Sequence, residues 1–326
     1  MRFYQKLIAN RRAGGSIYVA KKRVEENHRR FPDDAFYRDE CRYWRSVYWL
    51  TGEVTRRLGM DARRERRLLP YLLEICGYSS EDSSVRIGGM HLFVDDPALC
   101  KIIAFEYPDI CDQDVYYQQQ YPEYCLDSVQ RSKITCFCGG EGPYETEDVQ
   151  LHNNDVVVDC GANIGMFSIL AVHRGAKMVY AFDPQKRTLK LLDVNIVSNG
   201  CEGKIIPVPF GLSDKKCSLS FTESDGTIGS RISRDGDTAT TTIECTTLDD
   251  WVAENNIPRI DFIKADIEGA ERDMLHGARN TIRRDHPRLA ICTYHLPDDP
   301  EVLRDIILSI DPTYHIDQRA KKLYAW

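Results

Sequence analysis

The chain has 326 residues, is 42% hydrophobic and carries a net charge of −7. A chain of this size can bury one large core together with a smaller region. The acidic balance gives no indication of a nucleic-acid partner or an anionic membrane. No apolar run approaches the roughly 18 residues of a membrane span, and no signal-peptide core follows Met1. We therefore expect a cytoplasmic protein without a transmembrane segment and without a nucleic-acid partner.

The N-terminal region differs from the rest of the chain in charge. Residues 1–75 contain 18 Lys and Arg and 10 Asp and Glu, a local net charge of +8, and their apolar residues recur at helical spacing. A solvated helical face is the favoured interpretation, and a docking surface for an anionic glycan, lipid or partner is the alternative. Residues 77–142 hold short apolar runs and many tyrosines, which predicts a mixed segment with a few strands. We expect a helical and mixed region over 1–140 and a second domain over 141–326.

The 12 cysteines are predicted to be reduced thiols rather than a disulfide framework. Five of them crowd residues 100–138, but only Cys136 and Cys138 form a C-x-C pair. A zinc site usually has paired C-x₂₋₄-C knuckles, so buried thiols are favoured over a metal cluster.

The second half of the chain alternates predicted strands and helices. Strands are predicted at 156–158, 178–182, 205–208, 260–265 and 289–293, and helices at 166–172, 185–198, 247–254, 270–282 and 301–308. Residues 213–240 are an excursion rich in Ser, Thr, Asp and Gly in which no helix or strand is predicted, and residues 314–326 are expected to form an antiparallel hairpin. This alternation predicts an α/β fold with a doubly wound, mostly parallel sheet.

Ligands of such a sheet bind beyond the carboxyl ends of its strands. The loop after the first strand contains Gly161, which permits a tight turn and close approach of a ligand, and Gly165, which lets the next helix pack near the strand. Asp159 is suited either to accept hydrogen bonds from an ammonium group or to orient this loop. Asp183, at the end of the second strand, fits the two ribose hydroxyls of an adenosyl group.

The same features occur in NAD-binding proteins, but the glycine spacing argues against that class. A G-x-G-x-x-G fingerprint starting at Gly161 would need glycines where Asn163 and Met166 stand. A pyrophosphate requires that bare backbone, whereas S-adenosylmethionine has no phosphate. The loop therefore favours a methyl donor.

Several motifs in one order resemble the FkbM family of methyltransferases. The main ones are Val156–Gly165, Tyr180–Pro184 and Asp261–Glu271, and the lesser ones are Glu141–Glu145, Thr247–Asp250 and Leu289–His295. The resemblance covers about residues 141–318. It implies a Rossmann-like class I methyltransferase fold, S-adenosylmethionine as the donor, and O-methylation of a glycan or secondary metabolite. Two positions depart from the family pattern: Asp183 replaces the usual Glu, and Cys160 the usual Ala.

The resemblance also implies a set of residues in contact with the cofactor. These are Asp159, Gly161, Asn163, Gly165, Asp183 and Asp266, together with Leu212 and Ser213, which follow the third strand where this fold reads the adenine edge.

Three side chains at two strand ends are predicted to be catalytic. Asp266 and Glu268 follow the fourth strand and His295 follows the fifth, so they should converge beside the cofactor loop. One interpretation is that His295 is a general base oriented by a carboxylate; the other is that the three hold a divalent metal. Acid–base work is favoured, because sequence spacing establishes no coordination geometry. Glu271 is interpreted as mostly structural.

Each of these residues also has a purely structural interpretation. Asp266 would cap the following helix, Glu268 would be an acid in its first turn, and His295 would close a strand. The favoured function is transfer of a methyl group from S-adenosylmethionine to a hydroxyl of a glycan or secondary metabolite, by a protein that could be a homo-oligomer. A nucleotide-dependent oxidoreductase and a catalytically inactive cofactor-binding scaffold are the alternatives.

Overall fold

A computed structural model describes residues 77–95, 143–223, 230–233, 239–319 and 321–326, together with four isolated positions, Arg29, Leu99, Ile103 and Tyr107. The chain divides into two units, Met1–Cys76 with Cys100–Gly142 and Gly77–Leu99 with Pro143–Trp326. The helices predicted in residues 1–75, apart from Arg29, and the cysteines from Cys100 to Cys138 lie outside the described residues. The predicted boundary near residue 141 stays a prediction, but residues 77–99 belong to the second unit.

Fourteen strands and six helices occur in the described part of the second unit. The strands are β1 (Tyr78–Ser79), β2 (Ser84–Ile87), β3 (Met90–Phe93), β4 (Val156–Cys160), β5 (Met178–Phe182), β6 (Ile205–Val208), β7 (Gly211–Leu212), β8 (Cys217–Thr222), β9 (Arg231–Ile232), β10 (Thr241–Thr246), β11 (Phe262–Ala265), β12 (Arg288–Cys292), β13 (Ile316–Arg319) and β14 (Lys322–Ala325). The helices are α1 (Met166–His173), α2 (Lys186–Ser198), α3 (Leu248–Glu254), α4 (Glu271–Gly277), α5 (Arg279–Asp285) and α6 (Asp299–Ile310).

Seven strands form the main sheet, in the order β13-β14-β12-β11-β4-β5-β6. Strands β6, β5, β4, β11 and β12 are parallel, whereas β14 is antiparallel to both β12 and β13. Strand β4, the middle one of the five parallel strands, is rich in valine and mostly buried, as a parallel strand covered on both faces should be. The predicted mostly parallel sheet with a C-terminal antiparallel hairpin is confirmed, and this strand order is the Rossmann-like class I methyltransferase fold.

The core lies between the main sheet and its helices. Trp251 of α3 packs edge-on against Tyr180 and Phe182 of β5, with ring centroids 4.9 and 5.0 Å apart. Helix α3 begins after Thr247, whose side chain accepts a hydrogen bond from the Asp250 N–H, as an N-cap residue does. None of the helices that the structure describes combines the length and apolar composition that a membrane crossing requires.

Strands β1, β2 and β3 form a small antiparallel sheet that is joined to α2 by asparagine side chains. The Asn199 amide bonds the N–H and C=O of His91 at 2.8 and 2.7 Å, and the Asn195 amide bonds those of Phe93 at 2.6 and 3.1 Å. Residues four apart lie on one face of a helix. These two amides therefore pair the free edge of β3 as a neighbouring strand would.

The structure departs from the predicted elements at two places. The excursion 213–240, in which no strand was predicted, contains β8 and β9, which join β7 and β10 in a sheet of order β7-β10-β8-β9. The single helix predicted at 270–282 is two helices, α4 and α5, that meet at Ala278. At their junction a Cβ on Gly277 would lie 2.1 Å from the Ser213 carbonyl oxygen. The close approach of β7 thus accounts for the glycine at the end of α4.

Candidate active site

Gly161 lies where the loop after β4 packs against the backbone at the end of β11. Its φ is +78°, and a Cβ there would lie 2.0 Å from the Asp266 carbonyl oxygen. Both the left-handed backbone and this contact require glycine. The predicted tight turn is present, and the close neighbour in this structure is the backbone of Asp266. The loop and the predicted catalytic strand end are therefore adjacent.

Gly165 is the N-cap of α1, with a φ of +91°. A Cβ at this position would come within 2.4 Å of Leu192 Cδ1 on α2. The predicted reason for this glycine was close packing of α1 on the strand; the structure instead assigns it to packing of the loop against α2.

Asp159 and Lys264 form a buried ion pair on neighbouring strands. Lys264 Nζ lies 3.1 Å from Asp159 Oδ1 and donates to the Gly161 carbonyl oxygen at 2.8 Å. Asp159 Oδ2 accepts from Ser168 Oγ at 2.6 Å, and the Asp159 side chain is completely buried. Of the two roles that the sequence left open for Asp159, this arrangement favours orientation of the loop, because its ammonium partner is supplied by the chain.

Asp183 lies at the end of β5 and is held by two backbone donors. The Asn163 N–H donates to Oδ2 at 3.1 Å and the Gln185 N–H to Oδ1 at 2.9 Å. Burial raises the pKa of Asp183 to about 6, against the opposing effect of these donors and of Lys264. The residue is 9% exposed. Asn163, with a φ of +50°, thus contributes through its backbone to the position of Asp183.

Leu212 and Ser213 follow β6 and lie at the end of β7, where both are buried. The Ser213 N–H donates to the Thr246 carbonyl oxygen, and its hydroxyl bonds Asp214 at 3.3 Å. Their contact with an adenine ring stays a prediction.

Asp266 follows β11 and accepts hydrogen bonds from two tyrosines. Tyr144 Oη donates to Oδ2 at 2.8 Å and Tyr294 Oη to Oδ1 at 3.3 Å. Helix α4 starts after Ala270, not Asp266, so the capping interpretation of Asp266 is wrong. Glu268 precedes the helix with a φ of +55°, so it is not an acid of the first turn. Both residues therefore lie in the segment between β11 and α4, and neither caps that helix nor belongs to its first turn.

His295 lies among three carboxylates. Its Nε2 is 3.5 Å from both Asp266 Oδ1 and Glu268 Oε2, and its Nδ1 is 2.9 Å from Glu271 Oε1. Glu271 is 1% exposed, and its Oε1 also accepts from the Ile267 N–H at 2.9 Å. The predicted convergence of Asp266, Glu268 and His295 is therefore present in the structure, and Glu271 belongs to the same cluster.

The charged groups of the cluster shift one another's pKa values, upward for the imidazole and downward for Asp266. Burial lowers the pKa of His295, but the carboxylates of Glu271, Asp266 and Glu268 outweigh burial and raise it to about 9. Burial raises the pKa of Asp266, but Lys264, His295, Lys322 and the Tyr144 hydroxyl together bring it below its usual value. In this arrangement the imidazole is an ion-pair partner of the carboxylates, which disfavours the predicted role of His295 as a base.

Three further residues of the site were not singled out from the sequence. Lys322, completely buried on β14, places Nζ 4.0 Å from the centroid of the Tyr144 ring. Lys264 had a signal in the sequence, since it is a charged residue within an apolar strand. Tyr144 lies in a motif of the family resemblance. Lys322 had no comparable signal, because only the antiparallel pairing of β14 with β12 brings it to this site.

Comparison with known proteins places this geometry in a family. Residues 159–315 match the family model for the methyltransferase FkbM domain. The chain is 29% identical over 156 residues to the hexuronic acid methyltransferase AglP of Haloferax volcanii, across 47% of this chain and 61% of that protein. It is also 44% identical over 70 residues to the tRNA (guanine(37)-N(1))-methyltransferase Trm5b of Methanocaldococcus jannaschii, across 22% of this chain and 20% of that protein. The matched regions thus span less than two thirds of these relatives.

One similar solved structure is the methyltransferase FkbM from Methylobacillus flagellatus KT. It is 23% identical, with a TM-score of 0.45, over 66% of this chain and 59% of that chain. At that TM-score the fold assignment rests on the strand order of the main sheet and on the matched domain. Residues 159–315, just under half of the chain, are therefore a domain of the FkbM methyltransferase family.

Proposed function

We propose that the chain transfers the methyl group of S-adenosylmethionine to a hydroxyl oxygen of a glycan or a related small molecule. The observation that carries this proposal is the contact between Gly161 and the backbone of Asp266. It joins the loop expected to hold the cofactor to the strand end that carries the carboxylate cluster. Methyl donor and acceptor must be aligned for in-line displacement, and alignment is the main contribution that a protein makes to such a step.

In the proposed reaction the acceptor oxygen attacks the methyl carbon. The new O–C bond forms as the S–C bond breaks, its electron pair stays on sulfur, and S-adenosylhomocysteine is released. The hydroxyl proton passes to a carboxylate of the cluster. Glu268 is suited to that role because its side chain is 35% exposed, while Asp266 and His295 hold the surrounding charges. Asp183 would accept hydrogen bonds from the ribose hydroxyls, with Asn163 and Gln185 fixing its carboxylate.

The similarity to a hexuronic acid methyltransferase favours a uronic acid as the first acceptor to test. A uronic acid offers two kinds of oxygen. A hydroxyl would yield a methyl ether, whereas the carboxylate would yield a methyl ester and would need no base. Alkali hydrolyses the ester and leaves the ether, so the two products can be separated chemically.

Cofactor binding is the first test of this proposal. Calorimetric titration of S-adenosylmethionine into the full chain should give saturable binding, which Asp183→Asn should weaken by about tenfold or more, since one hydrogen bond to a charged group contributes roughly 1.5–3 kcal/mol. Glu202→Gln, in the turn after α2, is the control and should bind normally. Binding of NADH in preference to S-adenosylmethionine would instead support the oxidoreductase alternative.

Turnover is the second test. Labelled S-adenosylmethionine with glucuronic acid, with its methyl ester and with glucose should transfer label in an alkali-stable form to at least one of them. Cofactor binding without transfer to any hydroxylated acceptor would favour the inactive scaffold. A cytoplasmic location, the absence of a nucleic-acid partner, a homo-oligomeric state and the role of the basic residues 1–75 stay predictions.

A further inference from the structure

The cluster at the carboxyl ends of β11 and β12 has the composition and spacing of a metal site. One ligand atom from each of Asp266, Glu271 and His295 lies within 4.8 Å of the others. Metal bonds to oxygen and imidazole nitrogen of about 2.0–2.2 Å place two ligands of one ion roughly 3–4.4 Å apart. Small side-chain adjustments would therefore bring all three atoms onto a single ion.

Several buried atoms of this cluster lack hydrogen-bond partners among the described residues. They are Glu271 Oε2 and both ring nitrogens of His295. Glu271 is 1% exposed and the His295 side chain 4% exposed. Buried polar atoms are nearly always satisfied, and each exception requires an explanation. A cation bound between the two side chains would satisfy atoms of both.

The contacts of His295 are close but poorly directed. Nδ1 lies 2.9 Å from Glu271 Oε1 without the alignment of a hydrogen bond, and Nε2 is 3.5 Å from two carboxylate oxygens. An N–H···O hydrogen bond is normally about 2.7–3.2 Å long and nearly linear, so the two Nε2 contacts are too long and the Nδ1 contact is misaligned. A metal ion shared by the carboxylates and the imidazole would account for these undirected contacts, with the imidazole then neutral instead of an ion-pair partner.

We propose that Asp266, Glu271 and His295 bind one divalent cation. Carboxylate oxygens with a single imidazole suit Mn²⁺ and related ions, whereas the soft thiolates preferred by Cu(I) are absent from the set. Sequence spacing alone establishes no coordination geometry and therefore favours acid–base catalysis. In the three-dimensional structure the ligand atoms of Asp266, Glu271 and His295 lie close enough together for one ion, so Glu271 takes the place of Glu268 in the set. The ion would enter from the side of Asp266 and Glu268, whose side chains are 17% and 35% exposed.

A cation at this position would lie beside the loop of Gly161, since that loop contacts the backbone of Asp266. Such an ion would polarise the acceptor oxygen as a Lewis acid. Glu268, which is outside the ligand set, would remain available to accept the proton.

The test is a titration of Mn²⁺ into the full chain without S-adenosylmethionine, followed by electron paramagnetic resonance of the free ion. We expect one bound ion per chain. Glu271→Gln and His295→Gln should each weaken binding by at least about tenfold, because loss of groups close to a metal already costs 10–100-fold in affinity. The matched control is His286→Gln, at the other His–carboxylate pair, where Nδ1 lies 3.0 Å from Asp311 Oδ2. It should bind Mn²⁺ like the wild type.

A second measurement does not depend on whether the variants fold. Spin-echo modulation of Mn²⁺ bound to the wild type should show coupling to one imidazole nitrogen. No binding at about 1 mM Mn²⁺, no imidazole coupling, or unchanged affinity in both folded variants would overturn the metal site. Because S-adenosylmethionine is absent from these measurements, their failure leaves the proposed methyl transfer standing, and failure of methyl transfer leaves a measured metal site standing.

Discussion

The acidic residues at the amino ends of the parallel strands differ from the carboxylate cluster at the carboxyl ends in how fully their polar atoms are satisfied. At the amino ends, Arg288 binds both carboxylate oxygens of Asp155 at 2.8 Å. The carboxylates of Asp261 and Asp285 there accept the N–H groups of Val156 and Ile260 at 3.0 and 2.8 Å. Each of these three acids has a partner that the fold itself provides.

At the carboxyl ends, three carboxylates surround one imidazole. Glu271 Oε2 and the His295 nitrogens are buried without hydrogen-bond partners in the described part of the chain. Left unsatisfied, such groups cost stability, so a fold selected for stability alone would not gather them there. The difference teaches that these acids at the amino ends are satisfied within the sheet, whereas Glu271 and His295 keep unsatisfied buried atoms at the carboxyl ends, where ligands of this class of sheet bind.

The largest expected effect comes from Asp266→Asn at the carboxyl ends. It keeps the size of the side chain but removes the charge that holds Tyr144, Tyr294 and His295 beside the proposed proton acceptor Glu268. The kcat should therefore fall by about 100-fold or more, the lower end of what an acid–base group contributes. Steady-state rates with S-adenosylmethionine and the best acceptor would measure it. A folded variant with kcat within about tenfold of the wild type would remove Asp266 from the proposed mechanism.

The next effect is on stability and should come from the amino ends. Arg288→Met leaves the Asp155 carboxylate, 7% exposed, without its cation. The free energy of unfolding should fall by roughly 3 kcal/mol, because breaking a buried pair leaves an uncompensated charge. Urea denaturation would measure it.

Arg259→Met is the matched control for Arg288→Met. Arg259 also pairs with an acid at the amino ends, but its side chain is 62% exposed, so the change should cost less than about 1 kcal/mol. The rate per folded molecule should be unchanged in both variants. A loss of kcat in Arg288→Met without a loss of stability would contradict the division between the two ends.

A smaller effect should come from Gly161→Ala, which tests the junction of the loop with the catalytic strand end. The added Cβ would meet the Asp266 carbonyl oxygen at 2.0 Å. Gly203→Ala is the control, since Gly203 also has a positive φ, +74°, but open space around it. Gly161→Ala should destabilise by about 1–3 kcal/mol more than Gly203→Ala, the usual cost of overpacking. Equal thermal shifts in the two variants would mean that the loop can move away from Asp266.

The smallest effect concerns the pH dependence of cofactor binding through Asp183. Its pKa is raised to about 6, mainly by burial, so the carboxylate is ionised at pH 7 and protonated as the pH falls below 6. Only the ionised form accepts both ribose hydroxyls, so affinity for S-adenosylmethionine should drop about tenfold per pH unit below 6. Calorimetry between pH 5 and 8 would measure it. Asp183→Asn should lose this dependence; a variant that retains it would assign the titration to another group.

Most of the main sheet could be predicted from the sequence, because its strands are short apolar runs and its helices are periodic. These are local signals, and the rules of parallel α/β connection turn them into a topology. The convergence of Asp266, Glu268 and His295 followed from that topology alone. The junction at Gly277 and the four-stranded sheet could not be predicted, since each depends on the approach of β7 and β10 from outside the local sequence.

By itself, then, the sequence determined the class of fold, the FkbM-like domain and the strand ends at which the catalytic residues are predicted, since each depends on residues close together along the chain. Only the tertiary structure decided how Glu271, Tyr144 and Lys322 join the site. Tyr144 and Lys322 lie near the two ends of the segment Pro143–Trp326. Glu271, the first residue of α4, comes within 2.9 Å of His295 only because the chain folds back after β11. Contacts between residues far apart in the sequence depend on packing and on which strands pair, and no local sequence pattern specifies either.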